Sequence, residues 1–343
     1  MKKVKRLTML DYRHLINMTD KTGMLQFSQN STPDPSSGYT LDDNARAFMV
    51  ALEIENGYLL ARHYADFLYA CQQGNSWSNF MLNGHFTHQF DSEDSFGRAI
   101  MACCLGTDSI YADIRSLCGQ MLQKNLPQTL NFKSPRAIAY VLTGLCHTRP
   151  ALYNNLHKII QQLGGILINL YQNCRDNKWF WFENSLTYCN GILPQSMFCL
   201  YRLTGDKKTL NIAYESLGFL SDTLLAKGYL NIIGNEGWYQ KGFSPARFDQ
   251  QPVDAASTAF ACLEAYNTTG KIEYLEKAKA SYQWYHGRNI HGLSLYDKNS
   301  GGCYDALTAD GVNLNQGAEA VLSLLLTEQY VAHNLNELNQ ISG

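Results

Sequence analysis

Two adjacent carboxylates, an amide and an arginine open the stretch "GYTLDDNARAFMVALEI" at residues 38–54, whose remainder is apolar. Like charges placed side by side raise the pKa of one carboxyl or demand a cation, and Arg46 lies one helical turn beyond Asp42 and Asp43 to supply it. One carboxyl that keeps its proton near neutral pH and a second that does not make the pairing used in general acid/base catalysis. Further carboxylates stand at similar places: Glu93 and Asp94 in "SEDSFGR", Glu183 in "KWFWFENSLTY", and Asp249 and Asp254 in "FDQQPVDAAS". Glu183 is the expected acid, because the dense aromatic run around it disfavours the ionised form. Asp43, Asp94 and Asp254 compete for the role of opposing base, although each also suits a plain helix cap, where free amides and the dipole stabilise an anion.

Other side chains are suited to binding. Gln250 and Gln251 beside Asp249, and Asn313, Asn315 and Gln316 before Glu319, offer paired donors and acceptors for hydroxyl groups. Tyr39 and Asp42 stand at the first helix start, while Trp179 and Trp181 supply flat rings for stacking or for the core. Arg46, Arg98 and Arg136 could converge on an anionic group; the expected alternative is that each bridges to the acid of a neighbouring helix start, since acids and arginines alternate there and unpaired burial is costly. His85, His88 and His286 are the histidines available to acid/base chemistry of a different kind.

These residues must be positioned by helices, because apolar residues recur at spacings of three and four along most of the chain. An outer set, near 5–19, 57–73, 109–124, 151–173, 207–226 and 272–287, mixes charged and apolar residues. An inner set alternates with it: "DDNARAFMVALEI", "SEDSFGRAIMACCLG", "SPRAIAYVLTGLC", "LPQSMFCLYRLTG", "QPVDAASTAFACLEAYNTTG" and "NQGAEAVLSLLLTEQY". Each inner segment opens with polar or capping residues and then turns small and apolar. Thr40 with Asp43 resembles a capping box, and Pro135, Pro194 and Pro252 suit the first helical position. Gly144, Gly205 and Gly270 are placed for left-handed caps at helix ends. Six degenerate hairpins whose neighbours cover each other predict an array, and closure is favoured because the inner segments are too apolar to line a broad groove. The expectation is an all-α (α/α)6 toroid, one domain over residues 1–343. Aromatic loops at 76–94 and 227–250 should form short β-hairpins on its rim.

Composition excludes several classes. With 28 basic against 30 acidic residues nothing suggests a polyanion partner, since nucleic-acid binding normally needs a basic face. No segment reaches membrane-spanning length, and the basic start "MKKVKRLTMLDYRHL" lacks a signal peptide's apolar stretch. Ten cysteines, several inside apolar helical runs, suit a reducing, cytoplasmic compartment. No CxxC pair exists and the histidines are scattered, so no metal is expected. Phosphate-binding glycine motifs and the GxSxG elbow are missing too, and no cofactor is expected.

The stretches "GYTLDDNARA", "SEDSFGRA", "WFENSLTYCNGILPQ", "FDQQPVDAA" and "LYDKNSGGCYDALTADGVNLNQGAEAVLSLLL" resemble the six-hairpin glycosidase superfamily over nearly the whole chain. More narrowly, they are similar to a bacterial group found alone or beside sugar-nucleotide glycosyltransferase modules. The resemblance implies a carbohydrate-active enzyme, most simply an inverting glycoside hydrolase acting on a small oligosaccharide, and it raises a glycosyltransferase as partner. It also admits a sugar epimerase or isomerase on the same barrel, or a noncatalytic sugar-binding protein. Cleavage with inversion requires two carboxyl groups about 6.5–9.5 Å apart on opposite faces of the sugar.

Overall fold

A computed structural model describes residues 10–74, 76–148 and 156–341, with side chains as far as residue 334. Its helices are α1 (Arg13–Asn17), α2 (Leu41–Leu52), α3 (Tyr58–Ala70), α4 (Glu93–Gly106), α5 (Ala112–Asn125), α6 (Pro135–His147), α7 (Leu156–Cys174), α8 (Ile192–Thr204), α9 (Lys207–Leu225), α10 (Pro252–Thr269), α11 (Ile272–Tyr285) and α12 (Ala318–Ile341). The even-numbered helices form a ring in which each packs on the next and α12 returns to α2. Around them, α3 lies on α2, α5 on α4, α9 on α8 and α1 on α12, while α7 and α11 each touch two inner helices. The chain is a closed (α/α)6 barrel.

Residue pattern explains the two layers. Outer helix α7 buries Leu156, Ile160, Leu163, Leu167 and Tyr171, a stripe at spacings of three and four, and leaves its other face in water. Inner α10 is buried almost all round by small residues, among them Ala255, Ala256, Ala259, Ala261 and Cys262. Close backbone approach joins α4 and α6. A Cβ on Gly97 would lie 2.7 Å from the Ala137 carbonyl oxygen, and one on Gly144 would lie 2.8 Å from the Met101 Cα. Gly144 is therefore a packing glycine inside α6, not the helix-ending cap expected of it. Gly205 and Gly270 do cap, at φ 70° and 69°, with their amides donating to Tyr201 and Tyr266 carbonyls at 2.7 Å.

The helix starts behave largely as anticipated. Thr40 Oγ1 accepts from the Asp43 amide at 2.9 Å, as a cap does, but the Asp43 carboxylate accepts the Thr40 hydroxyl at 2.6 Å instead of the backbone N–H that a full capping box would use. Ser92 and Ser134 cap α4 and α6, and Pro135 and Pro252 occupy first positions. Helix α8 begins at Ile192, so Pro194 falls in its first turn rather than at its first position, where its missing N–H still costs no intrahelical bond. Of the first outer segment only Arg13–Asn17 is helical, with residues 5–9 outside the described part. The fourth outer helix runs to Cys174, and residues 151–155 of its expected start likewise lie outside it.

On the rim, Phe80–Leu82 pairs with His85–Thr87 as a hairpin and also with Tyr39–Thr40. The 227–250 loop differs from expectation: Tyr239–Gln240 forms its ladder with Ser185–Leu186 of another connection, and only scattered backbone bonds, such as Gly234 N–H to the Ala246 carbonyl at 2.9 Å, join the loop to itself. The 286–317 connection carries two hairpins, Tyr296–Asp297 with Gly302–Cys303 and Ala306–Thr308 with Gly311–Asn313. All ten cysteines are free thiols. Among the described residues no helix is long and apolar enough to cross a membrane.

Candidate active site

The amino ends of the inner helices meet at one mouth of the barrel, and a belt of charges links them there. Buried Arg46 of α2 donates to Asp42 at 2.8 Å, to Asp43 at 3.3 Å and across to Glu319 of α12 at 2.7 Å. Arg98 of α4 reaches back to Asp42, donates to the Tyr140 hydroxyl of α6 at 2.7 Å and lies over that ring at 4.4 Å. Arg136 of α6 donates to Glu183 at 2.8 Å, to the Tyr188 carbonyl at 2.5 Å and to Asn190 at 3.3 Å. The Cys189 amide extends the belt to α10 by donating to Asp254 at 2.6 Å. The arginines thus bridge neighbouring hairpins, as the alternation of acids and arginines suggested.

Above this belt opens a cavity of about 480 Å³. Its walls are Asp42 and Arg46 of α2, Glu93, Asp94, Ser95 and Arg98 of α4, Ser134, Tyr188 and Cys189 from the approaches to α6 and α8, Gln251 and Val253 at the start of α10, and Glu319 of α12. Asn79 of the rim hairpin connection and Ser92 complete it. Arg46, Arg98, Cys189 and Val253 also roof a second cavity of about 220 Å³ along the barrel axis, lined largely by apolar groups such as Met49, Met101, Leu105, Ile192 and Phe260. The charged layer divides a polar mouth from an apolar shaft.

The expected residues are drawn together unevenly. Asp42, Asp94, Arg46, Arg98 and Gln251 face the mouth cavity. Asp94 accepts from the Ser134 hydroxyl at 2.5 Å and from the Tyr188 hydroxyl at 2.7 Å. Asp43 and Asp254 lie just beneath, each buried, while Arg136 and Glu183 stand behind Tyr188. Glu183 does not sit in the apolar setting inferred for it, because its carboxylate has a guanidinium partner and its own backbone carbonyl takes the Trp179 indole N–H at 2.7 Å. Trp179 and Trp181 are core residues, packed edge-on against Phe219 and Phe182 respectively. Tyr39 is buried against Phe67 and donates to Asp20 at 2.6 Å.

The amide cluster is structural. Buried Gln250 accepts from the Trp284 indole at 3.1 Å, donates to the Arg247 carbonyl at 3.1 Å and pairs its backbone with Leu307. Gln316 bonds Ser300 at 2.7 Å and Asp297 at 3.1 Å, and Asn315 accepts the Asn30 amide at 3.0 Å; both satisfy loop groups away from the cavity. Asp249 stays in its loop, its amide bonded to Asn235 at 3.1 Å. Glu93 accepts the Lys133 and Ser134 amides, each at 2.6 Å. Of the histidines, His85 is exposed, His88 pairs with Asp91 at 2.6 Å and His286 is wedged between Tyr282 and Tyr296. None of the described residues lining the mouth cavity is a histidine.

Glu319, Tyr188, Cys189 and Asn79 belong to the cavity and were not among the candidates. Glu319 was findable, because it is the acid in the first turn of its inner helix just as Asp42, Asp94 and Asp254 are in theirs. Tyr188 is half-exposed beneath the Arg136 guanidinium, 4.8 Å from its ring, and 6.1 Å from Trp238. Tyr188 is the aromatic ring among the described residues lining the cavity, where Trp179 and Trp181 do not reach.

Electrostatics sort the acids. Burial opposes ionisation of Asp42, yet the Arg46 and Arg98 charges outweigh it and hold this carboxyl below its usual range. Burial pushes Asp43 up to about 7, with the Asp42 and Glu319 charges adding to it against Arg46. Asp254 is pushed up to about 8, again by burial, with Glu319 adding and the Cys189 amide opposing. Its Oδ2 is buried with no hydrogen-bond partner among the described residues, as suits a carboxyl that keeps its proton.

No family model matches this sequence, and no curated protein matches it. Solved structures do. A sugar epimerase from a ruminal bacterium superposes with TM-score 0.69 at 14% identity, over 92% of this chain and 94% of that one. Cellobiose 2-epimerase from Bacillus thermoamylovorans gives TM-score 0.69 at 11% identity, over 93% and 95%. A GH76 α-mannanase from Bacteroides thetaiotaomicron gives 0.57 at 13% identity, over 88% of each chain. At such identities the likeness is one of architecture: this chain has the (α/α)6 barrel found in sugar epimerases and in glycoside hydrolases alike.

Proposed function

We propose that the protein is a carbohydrate-active enzyme that cleaves a glycosidic bond in the mouth cavity, with Asp94 and Glu319 as the carboxyl groups that meet the substrate. The observation that carries this reading is the cavity wall itself. Asp94 on α4 and Glu319 on α12 flank α2 from either side, and the Asp42–Arg46–Arg98 chain lies between them. One carboxyl would protonate the leaving oxygen while the other orients water at the anomeric carbon. Asp42, held by two guanidiniums, is unsuited to giving a proton. Because Arg46, Arg98 and Arg136 are each engaged by polar groups of the chain, a neutral oligosaccharide fits better than an acidic one, and Tyr188 on the cavity wall offers it an aromatic surface.

The test is release of new reducing ends from a panel of neutral oligosaccharides, with and without phosphate, by the wild type and by Glu319→Gln and Asp94→Asn. Cleavage that survives both substitutions undiminished removes the assignment. A second reading, C2 epimerisation, is favoured by the neighbours whose names are epimerase or isomerase. It needs a base that takes a proton next to a carbonyl, and the usual histidine does not line this cavity. Incubation with cellobiose or mannose in D2O separates the two, since deuterium entering C2 without bond cleavage would replace hydrolysis by epimerisation.

A further inference from the structure

At the opposite end of the barrel three inner helices bring a histidine, a thiol and a carboxylate to one point. His147 is the last residue of α6, Cys199 lies in α8 and Glu264 in the later half of α10. His147 Nε2 is 3.5 Å from Cys199 Sγ and 3.6 Å from Glu264 Oε2, and the three atoms all lie within 4.8 Å of one another. A single ring nitrogen therefore faces both sulfur and oxygen. The separation from oxygen is too long for an N–H···O hydrogen bond. It does match a ligand-to-ligand edge, about 3.3–3.8 Å, of a tetrahedron whose metal bonds are about 2.0–2.3 Å.

The surroundings fit the same interpretation. Arg202 donates to Glu264 Oε1 at 2.8 Å, which fixes the carboxylate and leaves Oε2 turned toward His147. A small cavity of about 130 Å³, lined by Cys146, His147, Cys199, Arg202 and Leu203, opens beside the cluster and gives room for a water or a further ligand. Cys199 and Glu264 are buried, and the imidazole edge remains partly exposed as an entry path.

We propose that His147, Cys199 and Glu264 bind one divalent transition-metal ion of borderline softness, Zn2+ being the natural probe, with the fourth position open to the adjacent cavity. Nitrogen, thiolate and carboxylate donors together select such an ion over Mg2+ or Ca2+. The ion would tie α6, α8 and α10 together at the end remote from the mouth. The inference is independent of the reaction assigned to the mouth cavity.

Full-length protein stripped by chelator and dialysed is titrated with Co2+ and then Zn2+. The expected result is one equivalent bound, a thiolate-to-cobalt charge-transfer band in the near ultraviolet, displacement of Co2+ by Zn2+, and a higher thermal midpoint with metal. Cys199→Ser should abolish the band. His147 sits partly exposed at a helix end, so His147→Ala should fold normally, as circular dichroism verifies, and weaken Zn2+ binding by at least about 100-fold. Absence of stoichiometric binding by the wild type overturns the proposal, as does a charge-transfer band that persists in Cys199→Ser or unchanged affinity in folded His147→Ala.

Discussion

The two ends of the barrel are built on opposite plans. Five of the six connections that lead into the inner helices are long, covering residues 18–40, 71–92, 175–191, 226–251 and 286–317, the one into α6 at 126–134 being shorter, whereas those leaving α2, α4, α8 and α10 at 53–57, 107–111, 205–206 and 270–271 are short turns. Two of the short turns end their helices with left-handed glycines, Gly205 and Gly270. The long ones bring Asn79, Tyr188, Cys189 and Gln251 over the mouth, where long loops on a rigid scaffold gather function. Charge follows the same division: every arginine of the mouth belt bridges to another element, so the groups that shape the cavity also hold adjacent hairpins in register.

The sharpest way to test that contrast is to remove charge at the mouth without removing the fold. Glu319→Gln and Asp94→Asn should each lower turnover by about 10²- to 10⁴-fold, with the thermal midpoint little changed, as steady-state assays and scanning calorimetry would report. A fall in activity matched by unfolding would instead make these residues part of the frame. Next comes Arg98→Met, which leaves Asp42 with Arg46 as its guanidinium partner and removes the bond to the Tyr140 hydroxyl, and should cost about 1.5–3 kcal/mol in urea denaturation.

Smaller effects probe the helix packing and the far end. Gly144→Ala drives a methyl against the Met101 backbone and should cost about 1–3 kcal/mol, measured the same way. Asp254 supplies a pH signature. Its folded pKa, about 8, lies above the usual 3.8, so below pH 4 folded and unfolded chains both hold the proton and the contribution to stability is complete. As pH rises toward 8 the unfolded chain ionises while the fold resists, and stability falls by at most about 1.4 kcal/mol per pH unit before levelling off. Asp254→Asn, compared with wild type between pH 5 and 8, should flatten that slope. Least affected should be Gly205→Ala, at about 1 kcal/mol for a left-handed cap with nothing pressing on it.

Much of the architecture was legible because helical period and capping chemistry are local. Thr40 with Asp43, Ser134 before Pro135 and Gly270 after Thr269 needed only neighbouring residues to be interpreted. Gly144 misled for the same reason: "LTG" reads identically whether glycine ends a helix or admits another helix's backbone, and only α4 decides which. The site was half legible. First-turn acids and arginines are properties of each helix start, so Asp42, Asp94, Arg46 and Arg98 were identifiable, and Glu319 follows from the same rule. Which polar residues face a cavity and which tie loops together depends on partners far along the chain. Gln250 finds Trp284, Gln316 finds Asp297, and Trp179 disappears behind Phe219, none of which spacing reveals. The His147, Cys199 and Glu264 cluster was invisible for a related reason, since three separate helices each contribute one donor.

The ion pair between Arg46 and Glu319 joins residues 273 positions apart. It sits on the seam where α12 meets α2, so an arc of five hairpins has neither the last wall of the mouth cavity nor a counter-ion for that guanidinium on its outer side. The last wall of the pocket is therefore added only when α12 docks, and a nascent chain halted before residue 319 would lack it however well its earlier helices had packed.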